Sequence, residues 1–188
     1  ERLKRFIQQY VRHGDSNQIL YRIESGRIRP SKNLADHLAS LLNGNREFLM
    51  VDDQKVVYEE ALALSDQAQK GAKQAFIVEG GPGTGKSVVA INLLVELTRR
   101  GLVAQYVTRN AAPRAVYESK LTKTLKKSRV TNLFKNSGSY THSEADSFDA
   151  LIVDEAHRLN AKSGMYQNVG ENQIMEIIRG AKLSVFFI

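Results

Sequence analysis

The sequence predicts a three-layer α/β domain with a parallel sheet, preceded by a small helical segment. Four short runs are almost entirely apolar, at residues 75–79, 102–107, 148–153 and 183–188, as in strands that are buried on both faces. Stretches with helical spacing of apolar residues alternate with these runs. Such alternation is typical of a parallel sheet that is covered by helices.

The first fifty residues are expected to form short helices at residues 2–12, 18–23 and 32–42, with breaks at Gly14, Gly26, Pro30 and Gly44. We therefore predict a helical N-terminal segment at residues 1–50 and the main domain at residues 51–188. The chain begins with Glu1 and stops inside an apolar run. We expect it to be a C-terminally truncated piece of a longer protein.

The main domain is predicted to begin with a helix from Asp52 to about Lys70, followed by the strand 75–79, a loop and a helix from Val88 to Arg100. The strand 102–107 and a helix at 111–127 come next. Residues 128–147 are polar, and their pattern predicts neither a helix nor a strand. The strand 148–153, a helix at about 172–179 and the strand 183–188 complete the domain.

Composition excludes several classes of protein. The chain of 188 residues has no cysteine, which excludes a disulfide framework and thiolate metal sites. It has neither an apolar run long enough to span a bilayer nor a secretory signal pattern. We expect a cytoplasmic protein with no membrane partner.

The net charge of +7 is concentrated in part of the chain. Between residues 114 and 135, seven lysines and arginines face one acid, Glu118. Such a basic patch attracts a polyanion through its phosphates. A solvated helix face gives the same pattern, so the charge alone leaves both interpretations open.

Between the first strand and its helix lies the run GGPGTGKS, residues 80–87. It matches the phosphate-loop pattern G-x-x-x-x-G-K-[ST], and the flanking strand and helix are those that this loop requires. Glycines let backbone N–H groups point at phosphate oxygens, and the helix N-terminus adds a favourable dipole. We predict binding of a nucleoside triphosphate by Gly81, Pro82, Gly83, Thr84, Gly85, Lys86 and Ser87.

Two adjacent carboxylates, Asp154 and Glu155, follow the third apolar run. In P-loop enzymes, a second strand ends beside the phosphate loop and brings an acid to the metal ion. We predict that Asp154 and Ser87 hold Mg²⁺ and that Glu155 activates water as the general base. Lys86 is predicted to act on the β and γ phosphates. The pattern therefore predicts hydrolysis as well as binding.

Several motifs carry a family resemblance. DEAH at residues 154–157 resembles the Walker B motif of nucleic-acid helicases and translocases, and TRNAA at 108–112 resembles motif Ia of superfamily 1 helicases. Residues 30–188 are similar to the Schlafen group 3-like helicase family, through PSK at 30–32, the loop at 80–87, NAAPR at 110–114 and DEAHRL at 154–159. This resemblance implies a RecA-like P-loop ATPase domain that uses ATP and Mg²⁺.

The resemblance also implies further site residues. Gln54 would contact the adenine edge and favour ATP, while His157 would either couple the nucleotide to nucleic acid or form only local hydrogen bonds. Motif Ia would lie along single-stranded nucleic acid, with DNA favoured over RNA. The implied contacts are Thr108, Arg109, Asn110, Arg114 and Lys123.

A superfamily 1 motor binds ATP between two RecA-like domains, and arginines of the second stabilise transition-state charge. The resemblance therefore implies a second RecA-like domain as a partner, and little or no turnover by these 188 residues alone. A different class of function is also compatible with the motifs. In that alternative the chain is a nucleotide-gated switch or signalling ATPase that acts on a protein partner.

Overall fold

The computed structural model describes residues 36, 40, 48–109, 131–163 and 169–188. Nearly all of the predicted N-terminal segment at 1–50 lies outside these ranges, and so does the predicted basic helix at 111–127. The division of the chain near residue 50 therefore stays a prediction.

Within these ranges, five parallel strands form one sheet in the order β1-β5-β4-β2-β3. Their bounds are Gln74–Val78 for β1, Ala104–Thr108 for β2, Phe134–Lys135 for β3, Phe148–Asp154 for β4 and Ala181–Phe187 for β5. Because the strands are parallel, their carboxyl ends share one edge of the sheet. Strand β5 separates β1 from β4, so these two strands lie about 10 Å apart.

Three helices that are described along their whole length accompany the sheet: α1 at Asp52–Gln69, α2 at Lys86–Arg99 and α3 at Gln173–Gly180. Short 3₁₀ turns lie at Ser137–Tyr140 and Ala156–Arg158. Helix α2 buries most of its apolar residues. Asn172 is the N-cap of helix α3, and its side chain accepts a hydrogen bond from the backbone N–H of Ile174 at 2.9 Å. This cap satisfies an N–H that has no partner within the helix.

Two apolar clusters lie on opposite faces of the sheet. The first core cluster joins α1 and α2 to the sheet, and its members include Ala61, Leu94, Tyr106, Ile152 and Val185. The second core cluster lies under α3 and the first 3₁₀ turn, and its members include Val107, Tyr140, Leu151, Val153 and Ile177. Neighbouring residues of β2 and β4 thus alternate between the faces, as the pleat requires. The arrangement confirms the predicted three-layer α/β fold with a parallel sheet.

The structure differs from the sequence prediction in one strand and in several boundaries. Strand β3 falls in the polar stretch 128–147, where two strand residues are too few to produce a visible period. Strand β5 begins at Ala181, two residues before the predicted start, because Ala181 is buried and pairs with Phe148. Helix α2 begins at Lys86, where Gly85 caps it. In the part of the chain that is described, no helix has the length and apolar character that crossing a membrane requires.

Candidate functional site

The glycine-rich loop, residues 80–87, connects β1 to α2 at the carboxyl edge of the sheet. Gly85 caps α2 with φ of 81°, a left-handed conformation that glycine adopts without steric cost. The Thr84 hydroxyl donates to the Gly81 carbonyl at 2.9 Å. The Lys86 ammonium donates to the carbonyls of Gly80 and Gly81. The loop is thus held in a turn by its own side chains.

Among the described residues, nothing crowds the outer side of this loop. A Cβ atom built on Gly83 would meet none of their atoms within 4 Å, and one built on Gly81 would meet only Thr84, at 3.9 Å. Residues 81–84, which include Pro82, are exposed. An exposed turn at a helix N-terminus leaves room for an anion to approach the backbone.

Ser87 and Asp154 meet although they are 67 positions apart in the sequence. The Ser87 hydroxyl donates to Asp154 Oδ2 at 2.8 Å. Asp154 is only 2% exposed, and its Oδ1 accepts the backbone N–H of Glu155 at 3.1 Å. The structure therefore brings together the two residues that were predicted to share a metal ion.

A third group, the hydroxyl of Tyr106 on β2, also donates to Asp154 Oδ2. Tyr106 is fully buried, and it is not among the site residues that the sequence predicts. The available signal was weak: a tyrosine in the middle of β2, two residues before Thr108 and so on the same face of the sheet. Buried tyrosine hydroxyls usually have a hydrogen-bond partner.

Glu155 begins the turn after β4, with φ of 56°. Its carboxylate is about one-third exposed, and Oε2 lies 3.2 Å from His157 Nε2 and 3.5 Å from Arg158 Nε. The carboxylate therefore lies at the surface of the carboxyl edge and close to a basic side chain. His157 contacts Glu155 itself, which places the two predicted functional residues in one turn.

Gln54 lies in the first turn of α1 and uses both ends of its amide. Its Oε1 accepts the backbone N–H of Val51 at 3.1 Å, and its Nε2 donates to the Thr84 carbonyl at 2.8 Å. A Cβ built on Gly85 would approach Gln54 Nε2 to 2.2 Å. The glutamine thus packs directly against the glycine-rich loop.

The residues predicted to contact nucleic acid are only partly described. Thr108 ends β2 and is buried. Arg109 is exposed, and its Nη1 donates to the Arg158 carbonyl at 3.0 Å and to Asn160 Oδ1 at 2.7 Å. Asn110, Arg114 and Lys123 lie outside the described ranges. Arg109 therefore contacts the segment that follows Glu155, a contact that the sequence does not predict.

Comparison with known families finds that residues 73–188 match the family model described as Schlafen group 3, DNA/RNA helicase domain. The match extends over all five strands, and hence over the glycine-rich loop and the two acids. Gln54 lies before the matched region. No curated protein gives a significant match, and no solved structure does either.

Proposed function

Because this chain belongs to the Schlafen group 3 DNA/RNA helicase family, we propose that it forms the first, ATP-binding half of a motor on single-stranded nucleic acid. A helicase domain implies nucleotide hydrolysis and nucleic-acid binding in general. The observation that carries the proposal of ATP and metal binding is the 2.8 Å contact between Ser87 and Asp154. It joins the glycine-rich loop to the acidic end of β4.

The glycine-rich loop is proposed to hold the phosphates of ATP. No side chain of the described residues crowds its backbone at Gly83, and only Thr84 lies near Gly81. The loop is followed directly by the N-terminus of α2. The Lys86 ammonium now donates to two loop carbonyls. We propose that phosphate oxygens replace those carbonyls as its acceptors when a nucleotide binds, because hydrogen bonds between charged groups are stronger.

Ser87 and Asp154 are proposed to hold Mg²⁺. A hydroxyl and a carboxylate 2.8 Å apart are oxygen ligands, which Mg²⁺ prefers, and this ion is usually held by one or two carboxylates together with the substrate phosphates. When bound, Mg²⁺ would neutralise negative charge on the phosphates. The residues present fit such an ion.

Glu155 is proposed as the general base for the attacking water. Its carboxylate lies at the same edge of the sheet as the glycine-rich loop and remains partly exposed to solvent, as water activation requires. Gln54 is proposed to contact the adenine edge, since it lies beside Thr84. To contact adenine, the Gln54 amide would have to break its hydrogen bond with Val51 or with Thr84.

Motif Ia is proposed to bind single-stranded nucleic acid, with DNA favoured over RNA. Arg109 is exposed and donates to the Arg158 carbonyl, and we propose that it contacts a phosphate together with Asn110, Arg114 and Lys123. The contact expected of Thr108 stays a prediction, since this residue is buried. We further propose a helical segment at 1–50, an ATPase domain at 51–188, and a second RecA-like domain of the same protein that completes the ATP site. By this proposal residues 1–188 alone turn ATP over slowly.

Isothermal titration calorimetry with MgATP tests the nucleotide site. We expect the unaltered chain to bind, and Lys86→Ala to weaken binding about 10- to 100-fold, since charged hydrogen bonds contribute about 1.5–3 kcal/mol. Lys70→Ala is the matched control, because Lys70 is an exposed lysine at the far end of α1. Absence of heat with the unaltered chain, or equal binding by Lys86→Ala, would contradict the proposal.

Nucleic-acid stimulation separates the motor from a switch that acts on a protein. In a chain that includes the second domain, single-stranded DNA should raise ATP turnover. Arg109→Ala combined with Lys123→Ala should abolish that rise. Arg99→Ala is the control, because Arg99 is exposed on α2 and paired with Glu96. Turnover that is indifferent to both DNA and RNA would favour the switch.

A further inference from the structure

Tyr106 lies in the middle of β2 with its side chain fully buried. Its ring packs against Phe134, with 5.6 Å between the ring centroids. In the strand register Tyr106 pairs with Ile152 and Thr108 pairs with Asp154. Its hydroxyl therefore reaches about 7 Å along the strand direction to meet Asp154 Oδ2. A phenylalanine would keep the ring packing and lose this contact.

The carboxylate of Asp154 is held by three different parts of the chain. Oδ2 accepts the hydroxyls of Ser87 and Tyr106, and Oδ1 accepts the backbone N–H of Glu155. A buried carboxylate is stable only when it accepts such bonds. The bond from Tyr106 comes from a member of the first core cluster, and it reaches the same oxygen that accepts the Ser87 hydroxyl.

We propose that Tyr106 is a positioning residue for the metal–nucleotide site, which acts by orienting the Asp154 carboxylate. This inference rests on the proposed function, since it needs Asp154 to hold a metal ion. Residues that hydrogen-bond to metal ligands fix the ligand geometry, and their loss commonly weakens metal binding 10- to 100-fold. Tyr106 touches neither the nucleotide nor the metal in this scheme.

The test compares Mn²⁺ binding by Tyr106→Phe and by the unaltered chain, each saturated with ADP and titrated by electron paramagnetic resonance. We expect the variant to bind Mn²⁺ about tenfold more weakly or worse. Its affinity for ADP in the presence of EDTA should stay within about twofold of the unaltered chain. If Tyr106 only stabilised the fold, its replacement would not weaken Mn²⁺ binding while leaving ADP binding unchanged.

Two matched variants control for stability. Tyr140→Phe makes the same chemical change at a buried tyrosine on the other face of the sheet, where the hydroxyl donates to Gln105 Oε1 at 2.9 Å. Phe134→Leu disturbs the ring beside Tyr106 and leaves its hydroxyl in place. Both should keep the Mn²⁺ affinity of the unaltered chain. All samples are measured with a stabilising osmolyte, which favours the folded state of a weakened variant.

The outcomes are distinguishable. Normal Mn²⁺ affinity in Tyr106→Phe, in a chain that binds ADP, overturns this inference and leaves the proposed function standing. Equal loss of Mn²⁺ affinity in Phe134→Leu also overturns it, because the effect would then follow packing. Failure of the unaltered chain to bind ADP contradicts the proposed function and this inference together.

Discussion

Gln54 has both ends of its amide bonded within the protein, which affects what it can do for a nucleotide. Because Nε2 donates to the Thr84 carbonyl, the side chain supports the glycine-rich loop as well as lying where a base could bind. Loss of a residue that shapes the phosphate site should weaken the binding of every triphosphate. Loss of a residue that contacts only the base should weaken the binding of nucleotides alone.

We expect Gln54→Ala to weaken binding of inorganic tripolyphosphate as well as of ATP, because the loop loses the bond at Thr84. Competition against a fluorescent nucleotide measures both affinities. Gln67→Ala is the control, since Gln67 is an exposed glutamine on the same helix. Loss of ATP affinity with unchanged tripolyphosphate affinity would show that Gln54 reads the base and does not support the loop.

Two buried hydroxyls, on Ser65 of α1 and Thr98 of α2, have no hydrogen-bond partner within the described part of the chain. An unpaired buried hydroxyl costs about 1–3 kcal/mol. We therefore expect Ser65→Ala and Thr98→Val to leave the free energy of unfolding in urea unchanged, or to raise it by about 1 kcal/mol.

Ser163→Ala provides the contrast to these two substitutions. Ser163 is equally buried, but its hydroxyl donates to Glu176 Oε2 at 2.8 Å. Its replacement should lower the free energy of unfolding by about 1 kcal/mol, because a bonded group is removed. A comparable loss in Ser65→Ala would mean that its hydroxyl is bonded after all.

At the scale of elements, the junction between α1 and the glycine-rich loop depends on one close approach. Gly85 has φ of 81°, and a Cβ there would lie 2.2 Å from Gln54 Nε2. The cap of α2 and the first turn of α1 therefore fit together only when residue 85 has no side chain. A change in the backbone of the loop at Gly85 would therefore displace the first turn of α1.

Gly85→Ala should lower the free energy of unfolding by about 1–3 kcal/mol, through the left-handed backbone and the contact with Gln54. A double-mutant cycle with Gln54→Ala separates the two causes, because only the contact is relieved in the double variant. We expect the combined effect to be smaller than the sum of the single effects. Strict additivity would show that backbone strain alone is responsible.

Most helices and strands could be predicted from the sequence, but the order of the strands in the sheet could not. Helix α2 has apolar residues at helical spacing and β4 is almost wholly apolar, so both could be predicted from local pattern. Strand β3 was missed because Phe134 and Lys135 form a strand only where β2 pairs with them. A pairing of that kind depends on tertiary contact, which no local pattern contains.

At the scale of the whole molecule, alkaline pH should reveal the packing of the second core cluster. Burial raises the pKa of the Tyr140 phenol well above its ordinary value. The contribution of Tyr140 to stability is therefore fully present below the unfolded pKa, about 10. It is lost as pH rises through the higher folded pKa, because the unfolded chain releases this proton first.

We expect the free energy of unfolding to fall with pH above about 10, and to fall less steeply in Tyr140→Phe. Urea unfolding at a series of alkaline pH values measures both slopes. The comparison with the variant removes contributions from other groups, including Tyr58, whose pKa is raised by burial and by Glu96. Identical slopes in the two proteins would show that Tyr140 ionises without unfolding the chain.

The sequence by itself determined the fold class, the glycine-rich loop and the adjacent acids, because each depends on residues within a few positions of one another. Glycine spacing and apolar runs are such local properties. They are also enough to indicate the family, whose model matches residues 73–188.

Only the tertiary structure decided that β5 separates β1 from β4. It also decided that Ser87 meets Asp154, that Tyr106 reaches the same carboxylate, and that Gln54 packs on the loop. These contacts join segments tens of residues apart, across strands whose order cannot be read from the alternation of strands and helices. The physical reason is that strand neighbours are selected by the packing of the whole sheet against its helices, a property of all layers together.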